Sequence, residues 1–350
     1  MWRRIILAAG SALLLASLVA LHAAGPPLGS GSVEVLRIAS SAVPMNASDR
    51  ASDRAGRLRF MGALHLESPD RRFGGISALL WHGGCNRLLA ASDTGAWVVL
   101  EPDEADDRLL GIRKAWMAPI LGQDGRPAAS KEAADAESLA RAHNGDIWLF
   151  YEQQHRGMRF EGVDACHPET LARAPVERWE PPGTAGWPPN GGIESAAIQG
   201  DIFLILAEGG PGSGASGTFL AGAPDAPMRA ISYAAPEHYR PTAMEPRDPG
   251  SDNGVMLVLH RRASVFRGFS AVLSEVRLPD AAGDVAVTSE IARLRPPLLV
   301  DNMEALAVRA EGERRFVYLM SDDNFNPLQR IILMKFELLP ATPAPERFPN

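Results

Sequence analysis

Four stretches of the chain follow one pattern: "GGISALLWHGGCNRLLAASDTGAW" (74–97), "DAESLARAHNGDIWLFYEQQ" (135–154), "GGIESAAIQGDIFLILAEGG" (191–210) and "DNMEALAVRAEGERRFVYLMSDDN" (301–324). Each has a small or acidic start, a short apolar strand, a polar turn, a second apolar strand and a polar or acidic end. The anchor positions are Ser77, Glu137, Glu194 and Glu304, separated by 60, 57 and 110 residues, the last being two steps of 55. The missing mark is expected near position 249, where "DPGSDNGVMLVLHRR" supplies a polar turn and an apolar strand but no visible first strand. A period of this length, with several short strands per unit, is the signature of a β-propeller. The expected fold is therefore all-β, a single β-propeller of repeated antiparallel blades. Five blades are marked, and six are reachable if one is degenerate. "RLRFMGALHL" near the N-terminus and "RIILMKFEL" near the C-terminus then pair in one blade and close the ring, which removes the edges an open sheet would expose.

Composition agrees with a packed, turn-rich β protein. Hydrophobic residues make up 46% of the 350 and charged residues 22%, while Gly (33) and Pro (28) are both abundant. A net charge of -7 argues against nucleic-acid binding, which calls for a basic face, and is compatible with cations. Residues 25–56, with "ASDRASDRAGR" near their end, read as a flexible linker whose removal would leave a folded domain. The apolar alternation runs over residues 57–339, and the Pro-rich tail 340–350 reads as disordered.

Trp2, Arg3 and Arg4 precede an apolar run from Ile5 to Leu21, followed by His22, Ala23, Ala24 and Gly25. That is the layout of a signal peptide over residues 1–24, and it implies a periplasmic or secreted protein. The alternative is an uncleaved membrane anchor, the one route to membrane contact. An exported chain with two cysteines, Cys85 and Cys166, permits a disulfide, but sequence alone brings neither to the other. Their turn contexts, "HGGCN" and "DACHPE", narrowly favour two unbridged cysteines. No spacing resembles a zinc site.

Equivalent positions in successive blades converge on a central channel, so Glu137, Glu194 and Glu304 are expected to meet there. Three facing carboxylates repel unless a cation or shared protons offset them. Oxygen-only ligands suit Ca²⁺, and Asn302, Asp135 and Asn190 add donors at the same rim. A second acidic set ends the second strand of each unit: Asp93, Glu152, Glu208, and Asp322 with Asp323. Any one of these is explained by turn capping, but the recurrence favours a functional rim. Arg156 and Arg159, and Arg261 and Arg262, could meet an anionic substrate, although charged surface positions are the plainer reading. His143, His155, His238 and His260 are scattered. Ser195 lies in no nucleophile elbow. "GGPGSGASG" (209–217) lacks the Lys-Ser/Thr ending of a phosphate loop.

"GGISAL…ASDTG", "DAESLA…DIWLFYEQ…RF", "GGIESAA…LAEG" and above all "DNMEALAV…YLMSDDNFNPLQRIILMKFEL" resemble the bacterial phytase-like family with esterase-like activity, from about Phe73 to Leu338. Where the family more often has Gly, this chain has Ala78, Ser138, Ser195 and Ala305. The resemblance implies a β-propeller, an exported location and a hydrolase activity. By analogy with calcium-dependent propeller hydrolases, Ca²⁺ at a channel mouth would polarise a phosphate or ester and activate water.

Two functions are therefore expected. The first is Ca²⁺-dependent hydrolysis of a small-molecule phosphoester, carboxylic ester or lactone. Glu137, Glu194, Glu304 and Asn302 would hold the metal, Asp322 or Asp323 would act as general base, and Asp93, Glu152, Glu208 and Arg156 would contact substrate. The alternative is a non-catalytic periplasmic binding or scaffold propeller with a structural ion.

Overall fold

The computed structural model describes residues 32–184, 186–187, 191–207, 216–264, 266–279 and 285–341. Residues 1–31, on which the expected signal peptide falls, the residues beyond 341, Asn190, Glu208 and most of the 209–217 glycine run lie outside these. No helix among the described residues is long and apolar enough to cross a membrane.

Three short strands, β1 (Glu34–Val35), β2 (Ala39–Ala42) and β3 (Arg54–Ala55), lead into the long β4 (Leu58–Glu67). Successive groups of antiparallel strands follow, the third and fourth joined in one eight-stranded sheet by a short parallel pairing. The first is β5 (Ile76–His82), β6 (Arg87–Ser92), β7 (Ala96–Ala105) and β8 (Arg108–Pro119). A single turn of helix, α1 (Lys131–Ala134), precedes the second: β9 (Ala136–Arg141), β10 (Ile147–Tyr151), β11 (Arg156–Phe160) and β12 (Glu177–Trp179). The third is β13 (Ile193–Gln199), β14 (Ile202–Ala207), β15 (Ser216–Gly222) and β16 (Arg229–Ala234). The fourth is β17 (Arg240–Pro246), β18 (Val255–Ser264), β19 (Gly268–Arg277) and β20 (Val285–Leu294). In the fifth, β21 (Met303–Glu311), β22 (Arg314–Ser321) and β23 (Ile331–Leu338) are completed by β4, which pairs with β23 along its whole length. The N- and C-terminal strands therefore share a sheet, as the sequence pattern predicts.

The first strands of the units lie side by side in cyclic order: β5 beside β9, β9 beside β13, β13 beside β17, β17 beside β21, and β21 beside β5 again. The apolar clusters follow the same cycle. One lies between units one and two around Trp97, Leu149 and Phe160. The next packs Trp148, Phe150, Trp179 and Phe203 between units two and three. Others join units three and four through Phe219 and Tyr233, four and five through Leu259 and Phe336, and five and one through Tyr318 and Leu79. The apolar alternation of each strand buries one face against each neighbouring sheet, so no unit carries a core alone.

The repeat marks are registered by a shared irregularity. Pairing between the first and second strands of every unit slips by one residue, at Ser77, Glu137, Glu194, Thr242 and Glu304. The fourth unit's anchor is thus Thr242, not a position near 249. Pro241 and Pro246 and a neutral side chain hide that strand in the sequence, because proline is a poor strand signal.

Three expectations need correction. Residues 32–56 are not a free linker: β1 pairs with β8, β2 with β4, and Leu36 and Met45 are buried. Composition missed this because an edge strand is held by backbone hydrogen bonds that small polar residues make as well as any. Cys85 and Cys166 form a disulfide that ties the β5–β6 turn to the loop after β11 in the next unit. The loop it closes spans 81 residues, so it is long-range and invisible to local sequence. The catalogue of scattered histidines also hides a core residue. His260 is fully buried, and its Nε2 lies 3.0 Å from the Tyr233 hydroxyl, linking units four and three.

Deleting residues 32–56 is expected to cost about 3 kcal/mol or more, from loss of Leu36 and Met45 burial and two strand pairings. An unchanged urea midpoint for the truncated chain would show that the segment does not contribute. Burial pulls the His260 imidazole down to about 4. Its neutral form therefore contributes stability that is complete above the ordinary value of about 6.5 and is lost as pH falls towards 4, by at most about 3 kcal/mol. Urea unfolding of His260→Gln between those pH values is expected to show a flatter pH dependence than the parent; parallel curves would contradict the assignment.

Candidate functional site: a carboxylate ring at one mouth of the channel

The slipped residue opening each first strand has two fates. Where it carries a hydroxyl, the neighbouring strand consumes it. Ser77 Oγ donates to Ala136 O and Thr242 Oγ1 to Met303 O at 3.0 Å, in each case the carbonyl just before the next unit's glutamate. Both hydroxyl residues are buried. Where it is a glutamate, it is the partly exposed residue of an otherwise buried stretch: Glu137, Glu194 and Glu304 all keep access to solvent while their strand neighbours do not. The three carboxylates lie close enough to act on one another, Glu194 and Glu304 both raising Glu137.

A second repeated bond brings the other acidic set beside them. Asp93 N donates to Gly75 O at 2.8 Å, Glu152 N to Asp135 O at 3.1 Å, and Asp322 N to Asn302 O at 2.9 Å. In each case the acceptor lies two residues before the anchor. The residue after the second strand is thereby fixed against the start of the first strand. Gly75 is required here: its φ is +63°, and a Cβ would lie 2.1 Å from Asp93 Oδ1.

The resulting electrostatics are severe. Burial pushes Glu137 well above the ordinary carboxyl range, and Asp135, Glu194, Glu304 and Asp93 push it further. Asp322 is raised as strongly, by burial and then by Asp93 and Glu304, against a hydrogen bond from Asn324 N. Asp93 is raised because its burial outweighs the attraction of Lys131. Asp323 is raised by burial, although Gly75 N and Phe325 N both donate to its Oδ1.

Lys131 was not foreseen. Its Nζ lies 2.7 Å from Asp93 Oδ2 and also bonds Asp135. Burial alone would lower it, but Asp93 and Asp135 together hold it above its ordinary value. "SKEAADAES" is short and polar, so nothing in it marked a lysine that α1 would turn inward; Ser130, which caps the helix, was the available signal. Arg261 is a second cation, 3.3 Å from Glu304. Arg156 is buried, lies 3.8 Å from the Tyr151 ring centroid and donates to Ala133 O, so it braces the α1 turn beside Asp135.

The acid oxygens nearest one another belong to Asp135, Glu137 and Glu152, all within 4.8 Å. Ca²⁺ binds oxygens at 2.3–2.6 Å, so that spacing suits one ion. Asn302 is 1% exposed, and neither its Oδ1 nor its Nδ2 has a protein partner; Asp93 Oδ1 is likewise unpartnered. Ser195, fully buried, offers no nucleophile to solvent.

The profile of the phytase-like family, described as esterase-like activity of phytase, matches residues 71–325, and the chain belongs to that family. Among curated proteins no sequence match was found. Similar solved structures include the major Malassezia sympodialis allergen Mala s 1, at 13% identity and TM-score 0.39, covering 88% of this chain and 96% of the allergen. A catalytically inactive virginiamycin B lyase from Staphylococcus aureus, with quinupristin, is similar at 10% identity and TM-score 0.36, covering 90% and 98%.

Replacing Lys131 by Met leaves Asp93 and Asp135 facing each other without their shared ammonium. The variant is expected to lose about 2 kcal/mol or more at pH 7. Equal urea midpoints for Lys131→Met and the parent would show the ammonium to be dispensable.

Proposed function

We propose that this protein is an exported, five-bladed β-propeller hydrolase that uses Ca²⁺ at the acidic mouth of its channel. The observation carrying the proposal is the approach of Asp135, Glu137 and Glu152 oxygens to within 4.8 Å of one another, with the unpartnered, buried Oδ1 atoms of Asn302 and Asp93 in the same neighbourhood. Asp135, Glu137 and Glu152 would hold the ion closest, with Glu194, Glu304 and Asn302 completing the ring. The cyclic neighbours and five inter-sheet cores support a closed ring of five blades. The disulfide supports export, since such bonds persist in oxidising compartments.

When bound, the ion supplies Lewis-acid polarisation of a phosphoryl or acyl oxygen and acidifies water. The chain's own residues supply the rest. Asp322, raised by burial and then by Asp93 and Glu304, would be the group to accept a proton from water once a positive charge offsets the ring. Asp323, tethered by Gly75 N and Phe325 N, fixes the turn that presents Asp322. Lys131 keeps Asp93 and Asp135 in place without occupying Glu137. Substrates are small phosphoesters, carboxylic esters or lactones that reach the channel mouth.

The ion pairs of Lys131 and Arg261 favour a second reading, in which the ring is structural and the propeller only binds. Activity separates the two. Hydrolysis of generic phosphate and ester substrates is expected to require Ca²⁺ and to stop with chelator. Ca²⁺ is also expected to raise the melting temperature by mass action. Glu304→Gln should weaken that shift, while Glu313→Gln, in the exposed turn between β21 and β22, should not. Ion-dependent melting without turnover would support the binding reading; melting indifferent to Ca²⁺ in all three proteins would remove the metal site.

A further inference from the structure

At the opposite end of β5 from Ser77, the chain gathers a second set of ligating atoms. His82 ends β5. Its Nδ1 lies 3.3 Å from Cys166 Sγ and 3.8 Å from Cys85 Sγ. The three atoms lie within 4.8 Å of one another, and all three residues are half-buried. His82 Nε2 is 3.1 Å from Asp164 Oδ1. A proton on Nε2 donated to that carboxylate leaves the Nδ1 lone pair facing the sulfurs, the arrangement by which a carboxylate orients a metal-binding histidine.

The loop carrying Cys166 is held by bonds other than the disulfide. Arg87 Nη1 donates to Ala165 O and Cys166 O, each at 3.0 Å. Cys166 N donates to Asp164 Oδ1 at 2.8 Å, and Asp164 N to Thr170 Oγ1 at 2.9 Å. Arg87 is itself fixed by Glu101 at 2.8 Å. Opening the S–S bond therefore leaves both cysteines and His82 facing one another. Two thiolates and an imidazole form a Cys₂His donor set, and zinc takes such sets tetrahedrally. With Zn–S near 2.3 Å, the sulfurs need part only to roughly 3.8 Å, a side-chain rotation. Exposed Gly83 and Gly84 flank Cys85 and leave that turn free to adjust.

We propose that the reduced protein binds one Zn²⁺ through Cys85, Cys166 and His82, with solvent in the fourth position, and that the disulfide closes this site. A dithiol reductant supplies two electrons and two protons and leaves as its own disulfide, giving the Cys85 and Cys166 thiols. Zn²⁺ then displaces both thiol protons to solvent as two Zn–S bonds and one Zn–N bond form. No electron passes to the metal.

The test uses full-length protein reduced with dithiothreitol, desalted without oxygen and titrated with Zn²⁺ against a chromophoric chelator. Oxidised protein is titrated in parallel to subtract zinc held by the carboxylate ring. The reduced protein is expected to bind one equivalent more than the oxidised, and Co²⁺ in its place should show thiolate-to-metal charge-transfer absorption. Cys85→Ser should abolish the extra equivalent. His82→Gln should weaken it at least tenfold, and Asp164→Asn about tenfold by loosening the carboxylate that orients His82. Near-ultraviolet circular dichroism checks that the reduced fold persists. Equal zinc uptake by both forms, cobalt spectra without thiolate bands, or loss of the fold on reduction would each overturn the proposal.

Discussion

Like charges held close in a poorly solvated space shape this molecule more than any other constraint. At an effective dielectric of 20, two carboxylates 4.8 Å apart repel by about 3 kcal/mol, and Asp135, Glu137 and Glu152 fall within that distance. Asp93, Glu304 and Asp322 add to the same field. The chain does not relax by turning these side chains outward, because two backbone devices prevent it. The slipped residue in each first strand commits the glutamates to the channel, and the N–H bond to the carbonyl two residues before it brings the second acid alongside. What remains is compensation by Lys131, by Arg261, by protons, or by an added cation.

The fold was legible to the extent that its signal was local. Alternating apolar runs and a recurring mark located the units, the fourth without its first strand, and the pairing of the terminal strands. Glu137, Glu194 and Glu304 share a repeat position in the sequence and an electrostatic neighbourhood in the structure, because equivalent register converts sequence period into spatial convergence. Thr242 went unseen because its unit replaces the acid with a hydroxyl and flanks it with proline. Lys131 and the disulfide went unseen for a different reason. Each is a contact between separate units, and no local pattern encodes the distance between Lys131 and Asp93 or between Cys85 and Cys166. The segment 32–56 shows a third limit: backbone pairing at a sheet edge asks little of side-chain chemistry.

Stabilising and functional charges are interleaved here. Lys131 is shared by Asp93 and Asp135 and leaves Glu137 to its acidic neighbours, while Arg261 pairs with Glu304. The chain belongs to the phytase-like family, while the chemistry depends on whether the remaining negative charge is met by metal. The Cys85–Cys166 cluster is remote from that question, on the turn beyond β5, and would respond to redox conditions rather than to calcium.

Crystals grown in Ca²⁺ and measured at a wavelength giving anomalous signal from calcium test the central claim most directly. The account predicts an anomalous peak in the channel, 2.3–2.6 Å from oxygens of Asp135, Glu137 and Glu152. Carboxyl groups hydrogen-bonded to one another across the ring, with no anomalous peak among them, would show that protons rather than a metal offset the charge.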